Sequence, residues 1–125
     1  LGVIAGVTAT RALLEQAGRP RRTLEVVALC EEESSRFPTA GFWGSRAITG
    51  GIKPGDVDTV VDWDGVTIGQ AMREVGLDPA RTDDAVRDDI DAFVELHIEQ
   101  GPLLEQAGLP GAVISAISSS RNVII

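Results

Sequence analysis

A single cysteine, Cys30, is all the chain contains, which excludes an internal disulfide framework. A reducing, cytoplasmic setting is the expectation that follows. No apolar run approaches the ~18 residues of a membrane span. No basic segment precedes an apolar run at the N-terminus, so no signal peptide is expected either. Basic residues are also scarce: eleven stand against nineteen acidic ones, a formal net charge of −8. Such a chain repels nucleic acid and anionic membrane surfaces. Arg19, Arg21 and Arg22 form one short basic cluster, but no aromatic platform or longer basic stripe accompanies it. It reads as a solvated loop, and neither nucleic acid nor membrane is an expected partner. An initiator Met is absent, and both Leu1 and the apolar ending Val123-Ile124-Ile125 read as the interior of a longer protein.

What is present is globular in character. The 125 residues suit one domain, with 43% hydrophobic and 24% charged side chains. A chain near this size buries roughly two-thirds of its unfolded surface. Residues 2–17 have apolar positions at helical spacing (Val3, Ile4, Val7, Ala12, Leu13, Leu14), ending at Gly18 and Pro20. Residues 23–30, TLEVVALC, are short, apolar and β-branched, and predict a buried strand. A short helix is expected over 44–48 and another over 67–75. Polar, turn-rich text separates them, and an aspartate-rich loop or solvated face follows at 83–91. Residues 93–98 predict a second strand, 102–107 a helix opening on Pro102, and 112–117 a third strand. The alternation points to an α/β fold: layered, with a mostly parallel sheet. LLEQAG occurs at 13–18 and again at 103–108 in different surroundings, and reads as two helix ends rather than a repeat.

Ligand sites in open α/β sheets lie at the carboxyl ends of strands. Glu31, Glu32 and Glu33 follow the first expected strand directly, and His97, Glu99 and Gln100 stand at the end of the second. An EEE run is most often an exposed acidic loop, and a lone histidine is most often structural. At a strand end, however, adjacent carboxylates point in different directions. One can bind a metal ion while its neighbour acts as a base. His97, the only histidine, can then supply half of a metal site but not a whole one, since catalytic zinc takes three protein ligands. Other chemistries fail. Ser118, Ser119 and Ser120 lack a nucleophile-elbow context. Cys30 sits beside carboxylates that raise a thiol pKa. The pair Gly50-Gly51 is a turn rather than a phosphate cradle. Asp56, Asp58, Asp62 and Asp64 do not match a calcium loop.

The strings Glu32-Glu33-Ser34-Ser35-Arg36-Phe37, Gly44-Ser45-Arg46-Ala47 and Glu95-Leu96-His97-Ile98-Glu99-Gln100-Gly101-Pro102 resemble the M20 metallohydrolases of the carbamoylase branch. That group includes N-carbamoyl-L-amino-acid hydrolases, allantoate and ureidoglycolate amidohydrolases and β-ureidopropionases. The resemblance spans nearly the whole chain. It implies a layered α/β/α catalytic domain over 1–120, with 121–125 as the start of a lid and dimerisation domain that the chain otherwise lacks. It implies two divalent metal ions, zinc by preference with Mn, Co or Ni as alternatives, and a homodimeric full-length enzyme. It assigns Glu32 as general base, Glu33 and His97 as ligands to the two metals, and Gln100 as a substrate-facing residue. The extra glutamate leaves a one-residue alternative, with Glu31 as base and Glu32 as ligand. Ser34 stands where the family usually has Gly. The implied reaction is metal-dependent hydrolysis of a linear C–N amide bond in a carbamoyl or ureido substrate, releasing ammonia and carbon dioxide. Two other readings stand beside it: a dipeptidase or aminoacylase of the same superfamily, and an inactive fragment serving as an interaction module. An upstream His, a bridging Asp and a C-terminal His that the family would supply are not in these 125 residues.

Overall fold

The computed structural model describes residues 1–116. The expected lid start at 121–125 and the last residue of the third expected strand, Ile117, lie outside the described residues. Among the described residues no helix is long and apolar enough to cross a membrane.

Helix α1 spans Gly2–Ala17, as its periodicity predicts. Its end is set by Gly18, whose φ of 76° suits glycine and whose N–H donates to Leu14 O at 3.2 Å. Gly108 closes the second LLEQAG in the same left-handed region, with φ of 65°, after α5, Leu103–Gln106. Both copies are thus helix ends. The apolar positions of α1 are not its packing face. The helix has no buried residue, and Val3, Ile4, Val7, Leu13 and Leu14 are all exposed. Its small residues lie inward instead, with Gly6 placed so that a Cβ would meet Val26 Cγ1 at 3.2 Å.

The core lies between residues 37 and 71. Three short helices frame it: α2, Trp43–Ile48; α3, Asp56–Thr59; and α4, Ile68–Glu74. Phe37, Ala40, Trp43, Val60 and Ile68 are buried together, with Ile52, Val57 and Ala71 packed against them. Helix α4 starts with a capping box: Thr67 Oγ1 accepts from Gln70 N–H at 3.1 Å, and Gln70 Oε1 accepts from Thr67 N–H at 2.8 Å. A 3₁₀ segment, Pro79–Ala85, follows, kinked at Arg81 and opened by Asp78, whose carboxylate accepts from Ala80 N–H. This segment and α3 were not expected from the sequence. Part of the aspartate-rich stretch is therefore helical rather than loop.

Arg46 clamps this region. Its guanidinium donates to Ala40 O at 3.0 Å and to Gly51 O at 3.1 Å, pairs with Asp56, and lies 5.8 Å from the Trp43 ring centroid. Gly44 ties α2 to the end of the 23–30 run, donating its N–H to Cys30 O at 2.9 Å. A Cβ there would sit 2.7 Å from Cys30 N, so only glycine allows the contact.

The runs expected as strands, 23–30, 93–98 and 112–116 of the third, form no strand ladder among the described residues. The only bridge among the described residues is the isolated antiparallel pair Val61 and Thr67. Side-chain ion pairs hold the first run at Glu25 and join the residues just before the two runs. Arg22 pairs with Asp91, and Arg87 reaches Glu25 at 3.0 Å while also binding Asp89. The physical reason lies in the pattern itself. Continuous apolar runs suit central parallel strands, which need a hydrogen-bonding neighbour along each edge. The described residues instead meet α1 and exposed ion pairs, which supply no ladder of N–H and C=O groups. The layered sheet itself is not formed among these residues.

Candidate active site

The glutamate run occupies a tight turn after residue 30. Glu31 and Ser34 both sit in the left-handed region, with φ of 50° and 54°. The turn is closed by Ser34 N–H donating to Glu31 O at 3.4 Å and by Gly41 N–H donating to Ser34 Oγ at 2.9 Å. The place where Gly was expected thus has the backbone conformation that favours Gly. Ser34 occupies it while using its hydroxyl as an acceptor.

The three carboxylates are not equivalent. Glu31 Oε2 accepts from Arg36 N–H at 3.1 Å and Phe37 N–H at 3.2 Å, so this carboxylate holds the following chain in place. Glu32 and Glu33 are exposed and make no hydrogen bond or ion pair through their side chains among the described residues. Two free carboxylates therefore project from a turn whose geometry is maintained by the third.

The second half of the expected site lies at 97–100. His97 is exposed, and its Nδ1 lies against Ile98 O. Glu99 caps α5, accepting from Leu103 N–H at 3.1 Å and Leu104 N–H at 3.0 Å. Gln100 is exposed in the left-handed region, with φ of 58°. No hydrogen bond or ion pair among the described residues joins His97 or Gln100 to Glu32 or Glu33. Burial and the neighbouring Glu31 carboxylate push the Cys30 thiol above its ordinary range, which disfavours it as a nucleophile.

Donor chemistry suits a divalent cation, since carboxylates and an imidazole are ordinary zinc ligands. The placement does not close a site. Among the described residues no three His, Cys, Asp or Glu side chains converge to hold a metal ion. Glu33 and His97 are at most two members of a ligand set that needs further donors.

Two residues beside the turn, Arg36 and Asp62, were given no role in the site from the sequence. Arg36 carries an ion pair from its Nε to Asp62 Oδ2 at 3.0 Å, and its guanidinium lies 5.0 Å from the Phe37 ring centroid. The Asp62 side chain is only 6% exposed. Burial by itself raises the Asp62 pKa, but hydrogen bonds from Val66 N–H, the Arg36 guanidinium and Asp64 N–H outweigh it. The carboxyl is held below its usual range. The available signal was the Asp62-Trp63-Asp64-Gly65 string, an Asx-type turn motif.

Residues 1–115 match peptidase family M20/M25/M40, and the chain belongs to that family. It is 43% identical over 124 residues to an allantoate amidohydrolase of Bacillus subtilis (strain 168), a match covering 99% of this chain and 30% of the relative. It is 41% identical over 122 residues to an N-carbamoyl-L-amino-acid amidohydrolase of Paenarthrobacter aurescens, covering 96% of this chain and 29% of the relative. A ureidoglycolate hydrolase of Arabidopsis thaliana is 34% identical over 130 residues, covering 98% and 27%. The chain thus spans about 30% of the length of the curated relatives it matches.

Proposed function

We propose that the whole protein hydrolyses a linear C–N amide bond in a carbamoyl or ureido substrate of the N-carbamoyl-amino-acid or allantoate type, releasing ammonia and carbon dioxide. Family membership and the names of the relatives support the reaction class. Within the chain, the observation that carries the reading is the division of labour in the glutamate run. Glu31 is committed to the backbone of Arg36 and Phe37, which leaves Glu32 and Glu33 as the carboxylates free for chemistry. This favours Glu32 as base and Glu33 as ligand over the register shifted by one.

In this reading Glu32 accepts a proton from the attacking water and delivers it to the leaving nitrogen, as a general base and then a general acid. Glu33 and His97 contribute to the holding of two divalent ions, zinc by preference, with the remaining ligands outside these residues. Such ions, when bound, would polarise the scissile carbonyl and make water acidic enough to give up its proton. Gln100 hydrogen-bonds the substrate. Residues 1–120 belong to a layered α/β/α catalytic domain, and 121–125 begin a lid and dimerisation domain. The whole enzyme is a cytoplasmic homodimer.

The test is Glu32→Gln in the whole protein, assayed for ammonia release from allantoate and from an N-carbamoyl-L-amino acid. Turnover should fall by about 10²-fold or more, with metal content by elemental analysis unchanged. Turnover within twofold of the parent would sink the assignment. The breadth of the peptidase family favours one second reading, a dipeptidase or aminoacylase. Faster turnover of dipeptides or N-acyl amino acids than of either ureido substrate would select it.

A further inference from the structure

We propose that the Arg36–Asp62 ion pair is a positioning device that sets the orientation of the Glu32-Glu33 turn, an inference that rests on the proposed catalytic role of that turn. Asp62 is a buried carboxylate with every oxygen committed. Its Oδ1 accepts from Asp64 N–H at 3.0 Å and Val66 N–H at 2.9 Å, and its Oδ2 accepts from Arg36 Nε at 3.0 Å. The turn around it is rigid by construction. Asp62 N–H donates to Val66 O at 2.9 Å, Gly65 N–H donates to Asp62 O at 3.1 Å, and the Val61–Thr67 bridge closes the two ends.

Arg36 then has two grips. Its side chain is fixed to that rigid turn, and its backbone N–H, with that of Phe37, is fixed to the Glu31 carboxylate. A shift of Arg36 therefore moves Glu31, and Glu31 begins the turn that carries Glu32 and Glu33. Anchoring by burial alone would not need a charge pair, because Phe37 and Ala40 already tie the segment to the core at 3% and 0% exposure. Apolar contacts are non-directional. The single charge-assisted hydrogen bond from Arg36 Nε to Asp62 Oδ2 is directional, which is what a base needs when small misplacements are costly in rate.

The experiment uses the whole protein and the variants Asp62→Asn, Arg36→Gln, Arg36→Lys and the double Asp62→Asn/Arg36→Gln. Asparagine keeps an acceptor for the Asp64 and Val66 N–H groups while removing the charge that binds Arg36. On allantoate or an N-carbamoyl-L-amino acid, Asp62→Asn and Arg36→Gln should each lower kcat about tenfold with KM within about twofold. The double variant should be no worse than either single one, and Arg36→Lys should recover part of the loss. Without substrate, amide-hydrogen exchange of the peptide covering 31–37 should quicken in Asp62→Asn, a readout independent of turnover. Unchanged kcat and unchanged exchange in Asp62→Asn would overturn the proposal, as would losses that multiply in the double variant. Glu32→Gln separates the two levels. If it abolishes turnover while Asp62→Asn keeps full kcat, only the positioning role falls. If Glu32→Gln leaves turnover intact, or if the whole protein turns over neither substrate, the catalytic reading falls and the positioning role with it.

Discussion

Between residues 37 and 71 the chain buries Phe37, Ala40, Trp43, Val60 and Ile68 against one another. On either side of that segment, α1 and the runs at 23–30 and 93–98 leave large apolar side chains open: Ile4 is 71% exposed and Val94 92%. The two regions differ in how far their contacts must reach. The first is built of short helices joined by tight turns, so a capping box, an Asx turn and one arginine clamp satisfy its backbone locally. The second is rich in β-branched runs whose polar backbone can be satisfied only by neighbouring strands. The glutamates proposed to be catalytic stand at the junction. Their turn is braced by the first region, through Arg36 and Phe37, and emerges from the end of a run in the second.

The sharpest test of this comparison is a pair of truncations in the whole protein. Trp43→Ala should cost about 3–5 kcal/mol in urea unfolding, because it empties a packed core. Val94→Ala should cost about 1–3 kcal/mol, because the proposed sheet would cover a side chain that is now exposed. A Val94→Ala change within about 0.5 kcal/mol would mark the run as a solvated edge and remove the sheet from the proposal.

Acid should weaken the protein through the arginine-held carboxylates of both regions. Asp62 is depressed by Val66 N–H, Arg36 and Asp64 N–H against the opposing effect of burial, and Glu25 by its hydrogen bond and attraction to Arg87. A folded-state pKa below the unfolded one gives stability that is full above the unfolded value, near ~3.9 for Asp and ~4.3 for Glu. That stability is lost as pH falls through the folded values. Urea midpoints should therefore drop between about pH 5 and about pH 2. Asp62→Asn should flatten part of that drop. An equally steep acid slope in the variant would show that Asp62 is not among the groups responsible.

The smallest expected effect is at Ser34. Ser34→Gly removes left-handed strain, a gain of about 0.5–1 kcal/mol, and loses the hydrogen bond from Gly41 N–H, a cost of about 0.5–1.5 kcal/mol. The net shift in the unfolding midpoint should stay within about 1 kcal/mol. A larger loss would mean that the hydroxyl does more for the turn than its one contact indicates.

Legibility from sequence followed the range of the interactions. Helix α1 was readable because its apolar period ends at a glycine and a proline, and α4 because Ile68, Ala71, Met72 and Val75 recur at helical spacing. The four residues of α3 are too few to show a period. The 3₁₀ segment was masked by aspartates that read equally well as a loop. The apolar stripe of α1 was read correctly as a helix signal, but its burial was not realised, because small residues face the neighbouring run instead. Within the site, Glu32, Glu33, His97 and Gln100 could be marked by their strings, whereas nothing in three consecutive glutamates says which carboxylate the backbone will claim.

The amino-acid sequence by itself determined the family, the extent of α1 and the side-chain types available for chemistry. Each of these depends on identities at fixed, short spacings. Only the tertiary structure decided that Glu31 is engaged while Glu32 and Glu33 have no side-chain partner among the described residues, and that Arg36 is anchored by a carboxylate 26 residues away. Such a pairing depends on the path the chain takes between the partners, and on burial that excludes water from one of them. Neither is written in the local pattern around either residue.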